Sequence, residues 1–188
     1  MLFSRMLRTE RLQLRPWRDQ DLPAFAALNA DQRVMEFFLQ PLDRAQSDAM
    51  VQRISENFTR HGFGIWAVEA FGVAEFIGAT GLSVPRYETP FSPCVEIVWR
   101  LAYEYWGFGY ATEAARLALD FGFRTAGLRQ IVAFTYEGNL RSRKVMERLG
   151  MRYSPEDDFD HPLVPPGHRL RRHVLYRLDR EVYLSAGS

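Results

Sequence analysis

The chain carries three groups of residues whose types and spacing could do chemistry. The first is a lone carboxylate, Glu96, inside the apolar run Val95-Glu96-Ile97-Val98-Trp99-Arg100-Leu101. A carboxylate buried in such a strand must be paired or have its pKa pushed upward. That makes Glu96 a candidate general base, directly or through a water, and a base there would matter most at low pH, where the group it deprotonates is mostly protonated. The plain alternative is a structural ion pair with Arg100, which shares its face by the strand period of two. The second group is Gly107-Phe108-Gly109, followed by Tyr110-Ala111-Thr112. A strand that passes through glycines into a helix start leaves backbone N–H groups without internal partners. With the positive end of the helix dipole they make a phosphate site, and glycine lets backbone approach a ligand. The dinucleotide fingerprint fails here, because position 112 is Thr rather than Gly, and the P-loop fails because Tyr110 follows Gly109. A plain strand-to-helix turn is the remaining alternative. The third group is Asn139-Leu140-Arg141-Ser142-Arg143-Lys144. Asn139 is a favoured helix N-cap, Ser142 reads as a capping or solvated hydroxyl, and Arg141, Arg143, Lys144 and Arg148 give the helix a basic side that is ordinarily a solvated face.

The elements that must position these groups follow from periodicity. Leu7 to Trp17 reads as a strand ended by Pro16, and Asp19 as the cap of a helix to about Asn29 with Leu22, Phe25, Ala26 and Asn29 inward. Val34 to Leu39 is a short apolar stretch. A second helix is expected from about Asp43 to Arg60, with Ala49, Met50, Arg53, Ile54 and Phe58 near one stripe, closed by His61-Gly62. Ile65–Phe71 and Glu75–Val84 read as a hairpin about Gly72. Pro85 to Pro93 is a loop before the central strand. Ala111, Ala114, Ala115, Ala118 and Phe121 fall on one stripe of the helix after the glycines, and Gly127 ends its pattern. Gln130–Tyr136 is a strand, Asn139 opens a helix to Leu149, and Met151 to Tyr153 begins another strand. Ser154 to His168 reads as a long polar loop, and Leu170–Leu178 as the last strand. Strand–helix–strand connections force a parallel pair within an otherwise antiparallel order, so the sheet is mixed and the class is α/β (α+β).

Composition excludes several classes of function. A net charge of +1 over 188 residues gives no support for nucleic-acid binding. No apolar run approaches the ~20 residues of a membrane span, and Met1 to Arg11 lacks the apolar core of a leader. The single Cys94 forms no intrachain disulfide, which suits a reducing cytoplasm, and no Cys–His pattern makes it a nucleophile. His161, His168 and His173 lack zinc-ligand spacing, so no metal is expected. The acidic segment Glu156 to His161 reads first as a solvated loop, and second as a rim attracting a cationic amine.

Trp106-Gly107-Phe108-Gly109-Tyr110-Ala111-Thr112-Glu113-Ala114 resembles the acetyl-CoA pyrophosphate loop of the GNAT superfamily of N-acetyltransferases, and more closely its RimJ/RimL-type branch. Thr9-Glu10-Arg11-Leu12-Gln13-Leu14-Arg15-Pro16, Gly78-Ala79-Thr80-Gly81-Leu82 and Asn139 to Met151 resemble, in order, that branch's first strand, third strand and N-x-x-S-x-x-V helix. Where the broad superfamily has Gln or Arg three residues before the first loop glycine, this chain has Glu104. The resemblance implies a single-domain GNAT-like fold over residues 1–188, with a mixed central sheet of about seven strands flanked by helices. It implies acetyl-CoA as cosubstrate, no metal, and a primary amine as acceptor, either a protein N-terminus or a small molecule. Backbone near Trp99, Arg100 and Leu101 would face the acetyl carbonyl, and Gly107 to Thr112 the pyrophosphate, with the Thr112 hydroxyl on a phosphate. Asn139 would lie near the pantetheine arm, Ser142 would give a proton to the leaving thiolate, and Arg143 and Lys144 would meet the 3′-phosphate. A non-catalytic acyl-CoA-binding or sensing domain would keep the loop yet need no acid or base. A monomer and a homodimer are both compatible with the sequence.

Overall fold

The computed structural model describes residues 6–186; Met1 to Arg5, part of the N-terminal stretch considered above, lie outside the described residues. The elements are β1 (Leu7–Arg8), β2 (Leu12–Arg15), α1 (Asp21–Ala30), α2 (Arg44–His61), β3 (Ile65–Ala70), β4 (Ala74–Ser83), β5 (Glu96–Leu101), α3 (Tyr110–Asp120), β6 (Gln130–Tyr136), α4 (Leu140–Arg148), β7 (Arg152–Tyr153), β8 (Phe159–Asp160), β9 (Arg172–Asp179) and α5 (Arg180–Ala186). One nine-stranded mixed sheet runs β1-β2-β3-β4-β5-β6-β9-β7, with β8 also on β9, and β5–β6 is its parallel pair. The α/β class is as the sequence implies. The strand number exceeds the expected seven because one strand breaks and one loop hides another. Thr9 Oγ1 accepts the N–H groups of Arg11 and Leu12, at 3.2 and 2.9 Å, and this turn divides Leu7–Trp17 into the β1–β2 hairpin. In the Ser154–His168 loop, Phe159 is buried against Val132 and Leu175, so Phe159–Asp160 pairs along β9 behind a 3₁₀ turn at Pro155–Asp157.

The helices sort to opposite faces by strand alternation. On one face Ala114, Ala115, Ala118 and Leu119 of α3 pack on Leu12, Leu14, Ile97 and Leu101, joined by Met146 and Leu149 from α4 and its end. On the other, Phe25 and Leu28 of α1 and Val51 and Ile54 of α2 cover Ile65, Ala79 and Val98. Asp43, where the helix was expected to begin, opens α2 with a capping box to Gln46, and Gly62 closes it in the left-handed region at φ 75°. Its buried stripe is Ser47, Val51 and Ile54, and Arg53, expected near that stripe, is exposed.

Helix α1 has its N-cap at Gln20, one residue past the expected Asp19, and starts at Asp21. The reason is Arg15, whose buried guanidinium holds the Asp21 carboxylate at 2.7 and 2.8 Å, with Glu69 at 3.0 Å. A buried charge is tolerated when it is fully paired, and Asp19 stays exposed. Beyond α3 a π turn, Phe121–Thr125, carries the chain to Gly127. The last strand begins at Arg172 rather than Leu170, and α5 follows without a sequence signal that separates it from a tail.

Candidate active site

The feature that makes a site is a defect in the sheet. β5 and β6 pair at Glu96↔Val132 alone, with the Val132 N–H on the Val95 carbonyl at 2.9 Å. Beyond that point they part. On its other edge β5 stays paired with β4 through Gly78↔Leu101, and the Ala102 N–H reaches the Ile77 carbonyl at 3.0 Å. Alternation therefore turns the amide groups of Trp99 and Leu101 into the gap, and those of Arg100 toward Ala79 of β4. Arg100 backbone, expected in the gap, is thus spent on the sheet. Trp106 Nε1 takes the Leu101 carbonyl at 2.9 Å.

Because β5 and β6 are parallel, the helices that follow them both start at the same edge, where the gap is open. Gly109, at φ 82°, is the N-cap of α3 and offers no side-chain cap. The first intrahelical bond runs from the Glu113 N–H to the Gly109 carbonyl at 3.1 Å, so the N–H groups of Gly109, Tyr110, Ala111 and Thr112 lie ahead of it. A Cβ at Gly107 would meet nothing within 4 Å, and Phe108 is exposed. The Thr112 hydroxyl is half-buried with no hydrogen-bond partner among the described residues. Open backbone donors, a dipole and space beside them fit an anionic ligand.

A cation stands at this loop, from a residue the spacing did not single out. Arg11 donates to the Phe108 carbonyl at 3.2 Å, pairs with Glu113, and lies 5.0 Å over the Tyr110 ring. It comes from the β1–β2 turn, inside the motif read only as a strand. Glu104 therefore does not leave the loop without positive charge.

Asn139 caps α4, accepting the Ser142 N–H at 3.2 Å while its amide donates to Thr135 Oγ1 at 3.0 Å. The Ser142 hydroxyl is half-buried and has no hydrogen-bond partner among the described residues. The basic residues of α4 divide. Arg143 is held by the Tyr176 hydroxyl at 3.3 Å, the Glu137 carbonyl at 3.1 Å and the Tyr153 ring at 5.3 Å. Lys144 is exposed and unpaired among the described residues. Arg141 crosses the open end of the gap, 4.8 Å over Trp106, to pair with Glu36.

Glu36 belongs to a strap, residues 31–42, between α1 and α2. The strap spans the gap from the β5 side to the β6 side: Arg33 lies 4.0 Å over Tyr103 and Phe38 under Arg100 at 4.2 Å, while the tilted rings of Phe37 and Tyr136 are 5.8 Å apart and the Glu36 carbonyl accepts from Arg169 at 3.2 Å.

At the joined end, burial pushes the Glu96 carboxyl up to about 8. The alternative pairing with Arg100 does not form: Arg100 donates to Asn29 Oδ1 at 2.6 Å, and no ion pair joins it to Glu96 among the described residues. Burial lowers the Arg100 guanidinium to about 10, which leaves it a cation at neutral pH. Glu96 faces the α1/α2 side and α4 lies on the α3 side, so Glu96 and Ser142 flank the gap from opposite faces and opposite ends. Cys94 is half-buried, and burial raises its thiol pKa. A surface concavity of about 300 Å³ between Arg152, Asp157, Arg177 and Val182 includes none of these residues. Among the described residues no three His, Cys, Asp or Glu side chains converge on a metal position, and no helix is long and apolar enough to cross a membrane.

Comparison with known proteins identifies the family of the chain. The acetyltransferase (GNAT) domain family matches residues 11–152. The uncharacterized protein YkkB of Bacillus subtilis is 34% identical over 147 residues, 78% of this chain and 84% of that protein. The FsC-acetyl coenzyme A-N(2)-transacetylase of Aspergillus fumigatus is 34% identical over 127 residues, 65% of this chain and 53% of that protein. The crystal structure of the acetyltransferase from Agrobacterium tumefaciens strain C58 is 29% identical, with a TM-score of 0.74 covering 93% of this chain and 94% of that one. The chain belongs to the GNAT family of acetyltransferases.

Proposed function

We propose that this chain is a single-domain N-acetyltransferase that passes the acetyl group of acetyl-CoA directly to a primary amine. The observation that carries the reading is the parting of β5 and β6 beyond Glu96↔Val132, with the open N-terminus of α3 at its mouth. An extended pantetheine arm can complete the ladder that β6 leaves, taking hydrogen bonds from the Trp99 and Leu101 amides. The amides of Gly109 to Thr112, with Arg11 beside them, would hold the pyrophosphate, and Lys144 is the free cation for the 3′-phosphate. The family membership supports acetyl-CoA as cosubstrate, which supplies an activated thioester. A relative whose name specifies transfer from acetyl coenzyme A to N(2) points the same way.

The chemistry then falls to groups on either side of the gap. An amine attacks only when neutral. Glu96, with its carboxyl near 8, can take the ammonium proton at neutral to alkaline pH. A backbone N–H that faces the thioester oxygen stabilises charge developing there. The free Ser142 hydroxyl can give its proton to the departing sulfur. The acceptor is a protein N-terminal α-amine, as in the RimJ/RimL branch, or a small primary amine, approaching from the face that carries the strap. A CoA-release assay over a panel of amines and N-terminal peptides tests the reading. Turnover on at least one acceptor is expected; tight CoA binding with no turnover would instead identify an acyl-CoA-binding domain.

A further inference from the structure

Arg15 and Arg100 both carry charge into the protein, and the fold treats them differently. Arg15 is neutralised in full. Asp21 takes its Nη1 and Nη2 at 2.7 and 2.8 Å, Glu69 its Nε at 3.0 Å, and the Glu75 carbonyl its Nη2 at 2.6 Å. Arg100, half-buried, meets no carboxylate among the described residues. Only its Nη1 is engaged, by Asn29 Oδ1 at 2.6 Å and the Met50 sulfur at 4.0 Å, while the Phe38 ring lies 4.2 Å from the guanidinium carbon. Nε and Nη2 make no hydrogen bond among the described residues, yet neither is shut off from solvent. Those two nitrogens form one edge of the guanidinium, the kind of edge that grips a carboxylate through two parallel bonds.

The guanidinium stands on the side of the gap proposed for the acceptor. Glu96, Val98 and Arg100 share one side of β5, and Val132, Phe134 and Tyr136 the same side of β6. Counting from the Glu96↔Val132 pair, Val98 falls across the gap from Phe134 and Arg100 across from Tyr136. The strap closes over this end, with Phe38 at Arg100 and Phe37 at Tyr136. Further in, His161 lies 6.1 Å from Phe134, and its Nε2 is 2.9 Å from the Tyr87 hydroxyl. The face therefore runs from a carboxyl at its joined end, past apolar and aromatic walls, to a cation at its open end. A second cation, Arg169, is exposed on the β6 side; it donates to the Glu36 carbonyl and meets no carboxylate among the described residues. The carboxylates of the strap are already paired, Glu36 with Arg141 and Asp31 with Arg33. The acidic segment that sequence alone offers as a rim for a cationic amine is paired too, Asp157 with Arg177 and Asp160 with Arg171 and Arg172.

We propose that the free Nε–Nη2 edge of Arg100, seconded by Arg169 on the β6 side, selects an acceptor that carries a carboxylate besides its amine. The proposal deepens the acetyltransferase reading and rests on it for the reaction. The amine lies toward Glu96, where its proton leaves, and the carboxylate reaches outward to Arg100. A cation partly withdrawn from water is costly until it is paired, so a ligand carboxylate offsets that cost and a neutral amide does not. A diamine would set its second charge against Arg100. Glu96 and Arg100 are four strand positions apart, about 13 Å along the backbone, and the arginine side chain bridges part of that. The spacing between the acceptor's two groups is therefore a variable of the test.

Matched acceptors test it in a CoA-release assay: amino acids of increasing amine-to-carboxylate spacing, their carboxamides, and N-terminal peptides with Asp or Asn at the second position. The wild type should prefer an acid over its own amide by about tenfold or more in kcat/KM. The series that shows the preference separates a small acceptor from a peptide. Arg100→Gln, which can still donate to Asn29, should bring that ratio close to one, whereas a purely structural loss would lower acid and amide together and keep the ratio. Arg169→Gln, at an exposed position, should reduce the ratio only about two- to threefold. If Arg100→Gln does not fold, Arg100→Lys replaces it, and with the fork lost the ratio should still drop severalfold. Turnover of amines without preference for the acid in any series, or an Arg100 variant that keeps the ratio, overturns the proposal. Calorimetry of the CoA complex with the N-acetylated acids and amides reads the same contact without turnover. Acids should bind more tightly than amides, and Arg100→Gln should remove the difference. A wild type that never turns over removes the acetyltransferase reading and leaves this binding comparison to judge Arg100.

Discussion

The two banks of the gap are built in different ways. The α3/α4 bank, proposed for acetyl-CoA, is mostly backbone. Its donors are the first amides of α3, and the residues that expose them are contiguous, Gly107 to Thr112, while the stretch Asn139 to Lys144, whose first amides are capped by Asn139, adds the Ser142 hydroxyl and Lys144. The strap bank, proposed for the acceptor, is mostly side chain. Glu36, Tyr87, Glu96, His161 and Arg169 come from separate segments, and the contact between Tyr87 and His161 spans 74 positions. A backbone site needs only the residue types that set φ and leave a helix end open. A side-chain site needs the whole fold to bring its parts together, and its loops can change without disturbing the sheet.

The largest expected effects lie in the chemistry and test whether both banks take part. Ser142→Ala should lower kcat by on the order of 10²-fold or more with acetyl-CoA affinity within a few-fold, because the hydroxyl acts on the departing sulfur. Glu96→Gln should lower kcat/KM comparably. With its carboxyl near 8, Glu96 is a base only where it is ionised, so the loss should be greatest at and above pH 8. That reverses the sequence expectation of a maximal effect at low pH, because a carboxyl raised this far is itself protonated there and cannot act as a base. Full activity of either variant on an established acceptor would take that residue out of the mechanism and assign the chemistry to one bank.

Next comes a stability effect confined to the acceptor bank. Burial lowers the His173 pKa to about 4, with its Nδ1–H on the Arg171 carbonyl at 3.2 Å. As pH falls from 6.5 toward 4, the unfolded chain takes up a proton that the native state does not. His173's own contribution to stability should therefore fall through that window, by about 2 to 3 kcal/mol in all, while the raised Glu96 carboxyl works in the opposite direction, so the comparison of wild type with a His173 variant is what isolates it. His173→Phe should flatten that slope in urea titrations at pH 7 and 5, and an unchanged slope would place the acid-sensitive group elsewhere.

How much of this was legible follows from the same contrast. The strands and helices around the gap were readable because alternation and caps are local: Gln130–Tyr136, the Asn139 cap and the Gly62 stop all appear as the residues dictate. The break at Thr9 was not, because a Thr hydroxyl turning the backbone has the same composition as a strand. Arg15 was unreadable as a buried cation, since its partners Asp21 and Glu69 are joined to it only by the fold. Arg143 and Lys144 looked equivalent in sequence, yet Tyr176, Tyr153 and the Glu137 carbonyl occupy only Arg143. Tyr87 gave no local signal at all.

The cofactor bank answers to smaller changes. Gly109→Val should weaken CoA tenfold or more, about 1.4 kcal/mol. The reasons are a φ of 82° that a β-branched residue resists and a Cβ placed beside the donors. Calorimetry on the folded variant checks it, and an unchanged dissociation constant would sink the phosphate assignment. Lys144→Ala should weaken CoA a few-fold while sparing dephospho-CoA. Arg143→Ala should instead lower the melting temperature and treat the two ligands alike. Equal losses for both ligands in Lys144→Ala would return that residue to the solvated face.

The smallest expected effect concerns the strap, where the banks touch. Both partners of the Glu36–Arg141 pair are about half exposed, so its loss should cost no more than about 1 kcal/mol of stability. Its interest is positional. Arg141 stacks over Trp106, at the mouth of the glycine loop, while Glu36 is carried on the strap that walls the opposite bank. An anion at the loop would compete with Glu36 for the guanidinium, and the strap would be held less firmly once that anion binds. Glu36→Gln should therefore tighten CoA two- to threefold and alter the acceptor KM by a similar factor, where Lys144→Ala changes CoA alone. Arg141→Ala in the same background should abolish the gain, because the freed cation is what the anion meets. If Glu36→Gln moves the acceptor KM with CoA unchanged, the strap serves one bank only, and the two sides of the gap work without this link.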